Sequence, residues 1–170
     1  MSSDENHPPA QQPSTLQQSL DQAVQHHKAG DLRKAEDLYK QILDADPNHA
    51  VVLHLLGVTN FQSGQGDIAV ELISKSVAIK PDYAEAHNSL GNTFRALKKL
   101  EEAAASFQKA LTLNPDILEA HNNLGNTLKD LGRLDEAAAS YHQALAIEPD
   151  FAEAHNNLGN ALKDLGRLDE

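Results

Sequence analysis

The chain has 170 residues, of which 40% are hydrophobic and only 4% aromatic, with no cysteine and a formal net charge of −11. That length holds one ordinary domain or a short repeat array, the lack of Cys rules out a disulfide framework and a thiolate metal site, and the acidic balance opposes nucleic-acid binding, which needs clustered Lys and Arg. No run approaches the roughly 18 apolar residues of a membrane span, so neither nucleic acid nor membrane is an expected partner, and the expected location is cytoplasmic.

The first segment, MSSDENHPPAQQPST at 1–15, has no basic start and no apolar core, so it does not read as a secretory signal. Its Pro, Ser and Gln content predicts a disordered leader. From residue 16 onward a period of 34 governs the chain: Pro47, Pro81, Pro115 and Pro149 are equally spaced. Setting each proline as position 32 gives units at 16–49, 50–83, 84–117 and 118–151, and a partial fifth at 152–170. Position 8 is then Ala23, Gly57, Gly91, Gly125 and Gly159, position 20 is Ala35, Ala69, Ala103 and Ala137, and position 24 is Tyr39, Ile73, Phe107 and Tyr141.

Each unit carries two helical patterns around a turn. In the fourth, Leu124, Gly125, Leu128 and Leu131 share one face of a first helix, and Leu134, Ala137, Tyr141, Ala144 and Leu145 share one face of a second. Gly132 suits a left-handed turn residue between them, and Pro149 stops the second helix. The sequence LGRLDE at 131–136 places acids in the first turn of that second helix, where the dipole favours them. A single pair of helices cannot bury both faces, so neighbouring units must stack. Gly125, a poor helix former at mid-helix, is expected to let Tyr141 approach the backbone of the first helix. Two positions depart from the pattern. Gln22 stands at position 7 of the first unit where the others have Leu, with Leu20 and Val24 nearest, and Lys98 replaces the turn Gly of the third.

This combination of Leu at 7, Gly or Ala at 8, Ala at 20, an aromatic near 24 and Pro at 32 resembles the tetratricopeptide repeat. The resemblance implies an all-α, right-handed α–α superhelix whose first helices line a concave groove. The run GDLRKAEDLYKQIL at 30–43, followed by HLLGV at 54–58, is also similar to the N-terminal repeats of bacterial Spindly-like O-linked N-acetylglucosamine transferases.

Helical projection puts positions 2, 5, 6, 9, 12 and 13 of the first helix opposite its packing face. The residues there are Asn88, Asn122 and Asn156 at position 5, Ser89, Asn123 and Asn157 at 6, Asn92, Asn126 and Asn160 at 9, and Arg95, Lys129 and Lys163 at 12, with Glu85, Glu119 and Glu153 at 2. An amide both donates and accepts, as a peptide backbone does. Helices stacked about 10 Å apart could place one Asn against about every third residue of an extended strand. By resemblance to the asparagine ladder of those transferases, Asn123 and Asn157 occupy the main-chain-gripping position, while Ser89, Leu55 and Asp21 do not match it. Duplication offers a plainer origin, because 118–136 and 152–170 agree at 17 of 19 positions.

The second unit differs. Val51, His54, Leu55, Val58 and Phe61 make its groove positions apolar, and they suit packing against the first unit or a hydrophobic anchor. His87, His121 and His155 at position 4 read as packing residues, since equivalent positions about 10 Å apart cannot share one metal ion. Neither the adjacent His26 and His27 nor the turn GQG at 64–66 has the context of a metal or nucleotide site. No catalytic residue, metal or cofactor is expected in this chain. A carboxylate clamp for an acidic chaperone tail is disfavoured, because Glu119 and Asn123 stand where it needs cations.

The expected function is a protein-interaction scaffold that binds an extended peptide or a partner helix in its groove. The alternative is the substrate-recognition region of a larger glycosyltransferase whose catalytic domain lies beyond residue 170. The last helix is expected to leave Leu158, Leu162 and Leu165 uncovered on one side, which points to truncation and to self-association.

Overall fold

The computed structural model describes residues 13–166, and within them the chain is helical throughout, with no strand. The helices are α1 (Pro13–Lys28), α2 (Leu32–Ala45), α3 (Ala50–Gln62), α4 (Gly66–Ile79), α5 (Ala84–Ala96), α6 (Leu100–Leu113), α7 (Leu118–Asp130), α8 (Leu134–Ile147) and α9 (Ala152–Asp164). Helix α1 begins at Pro13, inside the stretch expected to be leader. The rest of that leader, 1–12, lies outside the described residues.

Two kinds of turn set the hairpins. Within each of the four complete pairs, the chain reverses at a residue with positive φ: Gly30 (78°), Gly64 (80°), Lys98 (61°) and Gly132 (76°); Gly166, just after α9, also has positive φ (72°). The following amide returns to a carbonyl five residues back, as Asp31 N to His26 O at 2.9 Å and Arg133 N to Leu128 O at 2.9 Å, which closes the helix end. Lys98 makes the same turn, with its amide on Arg95 O at 3.0 Å and Lys99 N on Phe94 O at 2.9 Å. The left-handed geometry that its substitution put in question is present, held at a cost of about 1–2 kcal/mol that Gly avoids. Between pairs, α2, α4, α6 and α8 each end two residues before a proline, which disfavours helix in the residue preceding it.

Each helix packs on its chain neighbours. Helices α3, α5, α7 and α9 also touch one another next-but-one, whereas α2, α4, α6 and α8 do not meet to that extent among the described residues. The first helix of each pair therefore lies on the tighter, inner side of the curve, and the second lies on the outer side.

The core repeats with the sequence. Ala35, Ala69, Ala103 and Ala137 are fully buried, as are Tyr39, Ile73, Phe107 and Tyr141. A Cβ added at Gly125 would stand 2.5 Å from the Tyr141 ring, at Gly91 2.7 Å from the Phe107 ring, and at Gly57 2.5 Å from the Ile73 side chain. These mid-helix glycines are thus required by close approach of the second helix. In α1, Gln22 is exposed, and Leu16, Leu20 and buried Ala23 supply the packing instead. In α9 the expectation of uncovered leucines is corrected. Leu158 and Leu162 are 8% and 7% exposed, seated in one cluster with Ala138 and Tyr141, and the open face carries His155, Asn156, Gly159 and Asn160. The helix turns these leucines onto the apolar cluster that α7 and α8 share, and Leu165 is half-buried.

Candidate functional site

The inner helices bring the asparagine rows together, but not as a row of free amides. Asn122 is 3% exposed. Its Nδ2 donates to Glu153 Oε1 at 2.8 Å, and its Oδ1 accepts from Asn157 Nδ2 at 3.1 Å. Its expected orientation, away from packing, is corrected. Projection treated the first helix as two-sided, whereas position 5 lies in the seam between successive inner helices. Asn123 is half-buried, donating from Nδ2 to Asn92 Oδ1 at 3.0 Å and accepting from Arg95 Nη1 at 3.3 Å. Asn126 also turns inward and accepts from the Tyr141 hydroxyl at 2.8 Å. Burial pushes that phenol up to about 12, so it remains a donor at neutral pH.

The remaining residues spread along the same side. Asn88, Asn92, Arg95 and Lys129 are half-buried, as is Asn157, whereas Asn156, Asn160 and Lys163 are exposed. Asn88 stands apart, because its Oδ1 is buried and has no hydrogen-bond partner.

Comparison of adjacent seams explains this orphan. Between α7 and α9, the incoming position-6 amide sits on position 5 (Asn157 on Asn122). Between α3 and α5 the same two positions meet, as His54 Nε2 and Ser89 Oγ at 2.8 Å. Between α5 and α7, however, Asn123 sits on Asn92 at position 9. The equivalent of Asn92 in the next unit is Asn126, whose carbonyl is already taken by the Tyr141 hydroxyl. Phe107 has no hydroxyl, so the Asn92 carbonyl stays open, captures Asn123, and leaves Asn88 unpaired.

His54 is the other buried polar group of the inner face. Besides Ser89, its Nδ1 lies 3.0 Å from the Tyr83 hydroxyl, with the two rings edge to face. Burial drives its pKa down to about 4, against a smaller opposing pull from Glu85. Its neighbour Leu55 packs on the N-terminal cluster, so that part of the apolar second unit serves the core. Sequence reasoning assigned His54 to an apolar groove and missed its polar pairing. The signal was Ser89, the one departure from Asn at position 6 in the third to fifth units.

The position-4 histidines clasp the turns between units. Nε2 of His87, His121 and His155 donates to the carbonyls of Pro81, Pro115 and Pro149, at 3.1, 2.8 and 2.7 Å. His26 and His27 diverge, the first toward Asp31 at 3.6 Å and the second toward Gln62 at 2.9 Å. Among the described residues no three His, Asp or Glu side chains are grouped to hold a metal, and no helix is long and apolar enough to cross a membrane.

Known proteins share this architecture. Tetratricopeptide repeat profiles match residues 26–92, 91–132 and 125–166. The chain is similar to the crystal structure of MamA protein, at 29% identity and a TM-score of 0.84, over 93% of this chain and 86% of that one. It is also similar to the first TPR of Spaghetti (RPAP3) bound to HSP90 peptide SRMEEVD, at 27% identity and a TM-score of 0.67, over 69% of this chain and 93% of that one. A UDP-N-acetylglucosamine--peptide N-acetylglucosaminyltransferase of Caenorhabditis elegans is 34% identical over 89 residues, which are 52% of this chain and 8% of the enzyme. With helix pairs, turn residues and repeat profiles coinciding along most of its length, the chain belongs to the tetratricopeptide repeat family.

Proposed function

We propose that this chain is a protein-interaction scaffold whose inner helices bind an extended peptide or a partner's helix. The observation that carries the reading is the polar lining of the inner face: Asn88, Asn92, Arg95, Asn123 and Lys129 half-buried, with Asn156, Asn160 and Lys163 exposed beyond them. Such groups satisfy a peptide backbone without reading its side chains. Asn122 serves in a supporting role because it is 3% exposed with both ends of its amide engaged, and Asn126 because it turns inward to the Tyr141 hydroxyl. The RPAP3 relative, whose structure holds an HSP90 peptide, gives this reading support within the family. A cytoplasmic setting accords with the absence of cysteine.

A second reading is favoured by the similarity to the nematode transferase, of which this chain spans 8%. In it the groove presents protein substrates to a catalytic domain elsewhere in a longer polypeptide, and the chain itself carries no chemistry.

The test is an NMR titration of the full chain with blocked extended peptides, beside the triple variant Asn156→Ala, Asn160→Ala, Lys163→Ala. Peptides should perturb amides of α5, α7 and α9, and the exposed triple substitution should weaken binding about 5-fold or more. Perturbations confined to α2, α4, α6 and α8 would refute a concave site.

A further inference from the structure

Lys98 is the one non-glycine residue with positive φ among the described residues, and the sibling turns all use glycine. A strained lysine retained at one turn of five marks that turn as a candidate for function. Lys98 helps line a cavity of about 340 Å³ with Phe61, Asn92, Arg95 and Ala96. This lining brings two cations together and includes no carboxylate, in a chain with a net charge of −11. Phe61, half-buried, gives it an apolar wall. The polar side is prearranged, because Arg95 Nη1 and Asn92 Oδ1 both hold the Asn123 amide. Asn123 also has another seat, since the Asn88 carbonyl is buried without a partner and corresponds to the acceptor that Asn157 uses one unit on.

We propose that this cavity is an anion subsite for an internal Glu or Asp side chain of a bound peptide, with an adjacent apolar side chain laid on Phe61. The carboxylate lies between Arg95 and Lys98. Asn123 moves to Asn88 as the ligand takes its place, so the guanidinium exchanges one acceptor for a charged one. Charge complementarity favours an acidic residue here, because the lining holds two cations and no carboxylate. The proposal rests on the concave groove being the peptide site.

The full chain is titrated at low salt with two terminally blocked peptides, Gly-Phe-Glu-Gly and Gly-Phe-Gln-Gly, and followed by NMR. The Glu peptide should bind about 5-fold more tightly, as expected for one partly exposed charge contact. It should shift the Lys98 amide and the Arg95 side-chain signals. Lys98→Gly, which the sibling turns show to be compatible with the fold, should erase the preference. Lys98→Asn, which keeps a residue tolerant of left-handed geometry but removes the charge, should erase it too. Equal affinity for both peptides, with shifts along α5, α7 and α9, overturns the subsite and leaves the groove standing. Absence of shifts on the inner helices with either peptide at millimolar concentration overturns both. A preference that survives in both Lys98 variants also overturns the role of Lys98.

Discussion

Phe107→Tyr tests whether one hydroxyl sets the register of the asparagine network. The Phe107 ring lies 2.7 Å from a Cβ built on Gly91, and the Tyr141 ring lies 2.5 Å from one on Gly125, so the two rings are seated alike. An added hydroxyl at 107 should therefore fall on the Asn92 carbonyl, as that of Tyr141 falls on Asn126 at 2.8 Å. Displaced, Asn123 should pair with the orphaned Asn88 carbonyl, reproducing the seat of Asn157 on Asn122 at 3.1 Å. The number of amide pairs is conserved, one hydroxyl bond is added and a buried acceptor is satisfied, while the 3.3 Å bond from Arg95 to Asn123 is given up. At about 0.5–1.5 kcal/mol for a net hydrogen bond and up to a similar amount for relieving the orphan, less about 1 kcal/mol for the Arg95 bond given up, the variant should gain about 1 kcal/mol. Urea denaturation of the full chain reads the gain as a raised midpoint with unchanged slope. A double-mutant cycle sharpens the test. Asn88→Ala should cost little in the parent, where its carbonyl is unpaired, and about 1 kcal/mol more in the Phe107→Tyr background. A lowered midpoint, or an Asn88→Ala cost identical in both backgrounds, would show that the hydroxyl does not control the network.

Other perturbations read the same packing. Gly125→Leu should destabilise by about 1–3 kcal/mol through overpacking against Tyr141, whereas Gly159→Leu, where a Cβ would meet nothing within 4 Å, should be neutral or stabilising by up to about 1 kcal/mol through helix propensity. Equal denaturation midpoints for the two variants would contradict the close-approach account. His54 should make the fold acid-sensitive. Its folded pKa of about 4 lies below its unfolded value of 6.5, so its contribution is present above pH 6.5 and declines as pH falls toward 4. At 1.36 kcal/mol per pKa unit the loss approaches about 3 kcal/mol. Thermal melts of the parent and His54→Gln between those pH values should converge as the pH drops, and parallel curves would contradict the assignment.

Much of the fold was legible because its causes are local. A left-handed turn residue, a helix-stopping proline and a glycine opposite an aromatic ring each act within one unit, and the period of 34 copies them. Even the replacement of turn glycine by Lys98 leaves the hairpin intact, because the closing hydrogen bonds depend on backbone atoms alone.

The candidate groove was legible only in part. Its residues lie on the first helix of each pair, as the repeat spacing requires, but identical asparagines met different fates. Asn122 is buried in a seam and Asn156, its counterpart, is exposed. Asn126 answers a tyrosine of its own unit, while Asn92 faces a phenylalanine and answers the next unit instead. Helical periodicity assigns a face relative to one partner, whereas α5 and α7 each pack on four other helices.

The sequence alone therefore determined the repeat, the helices, the turns and the glycine contacts, because each follows from steric rules acting over short stretches of chain. Only the tertiary structure decided which amides are spent holding the solenoid together and which stay exposed. That choice depends on hydrogen-bond competition across seams between residues about 30 positions apart, such as Asn92 and Asn123.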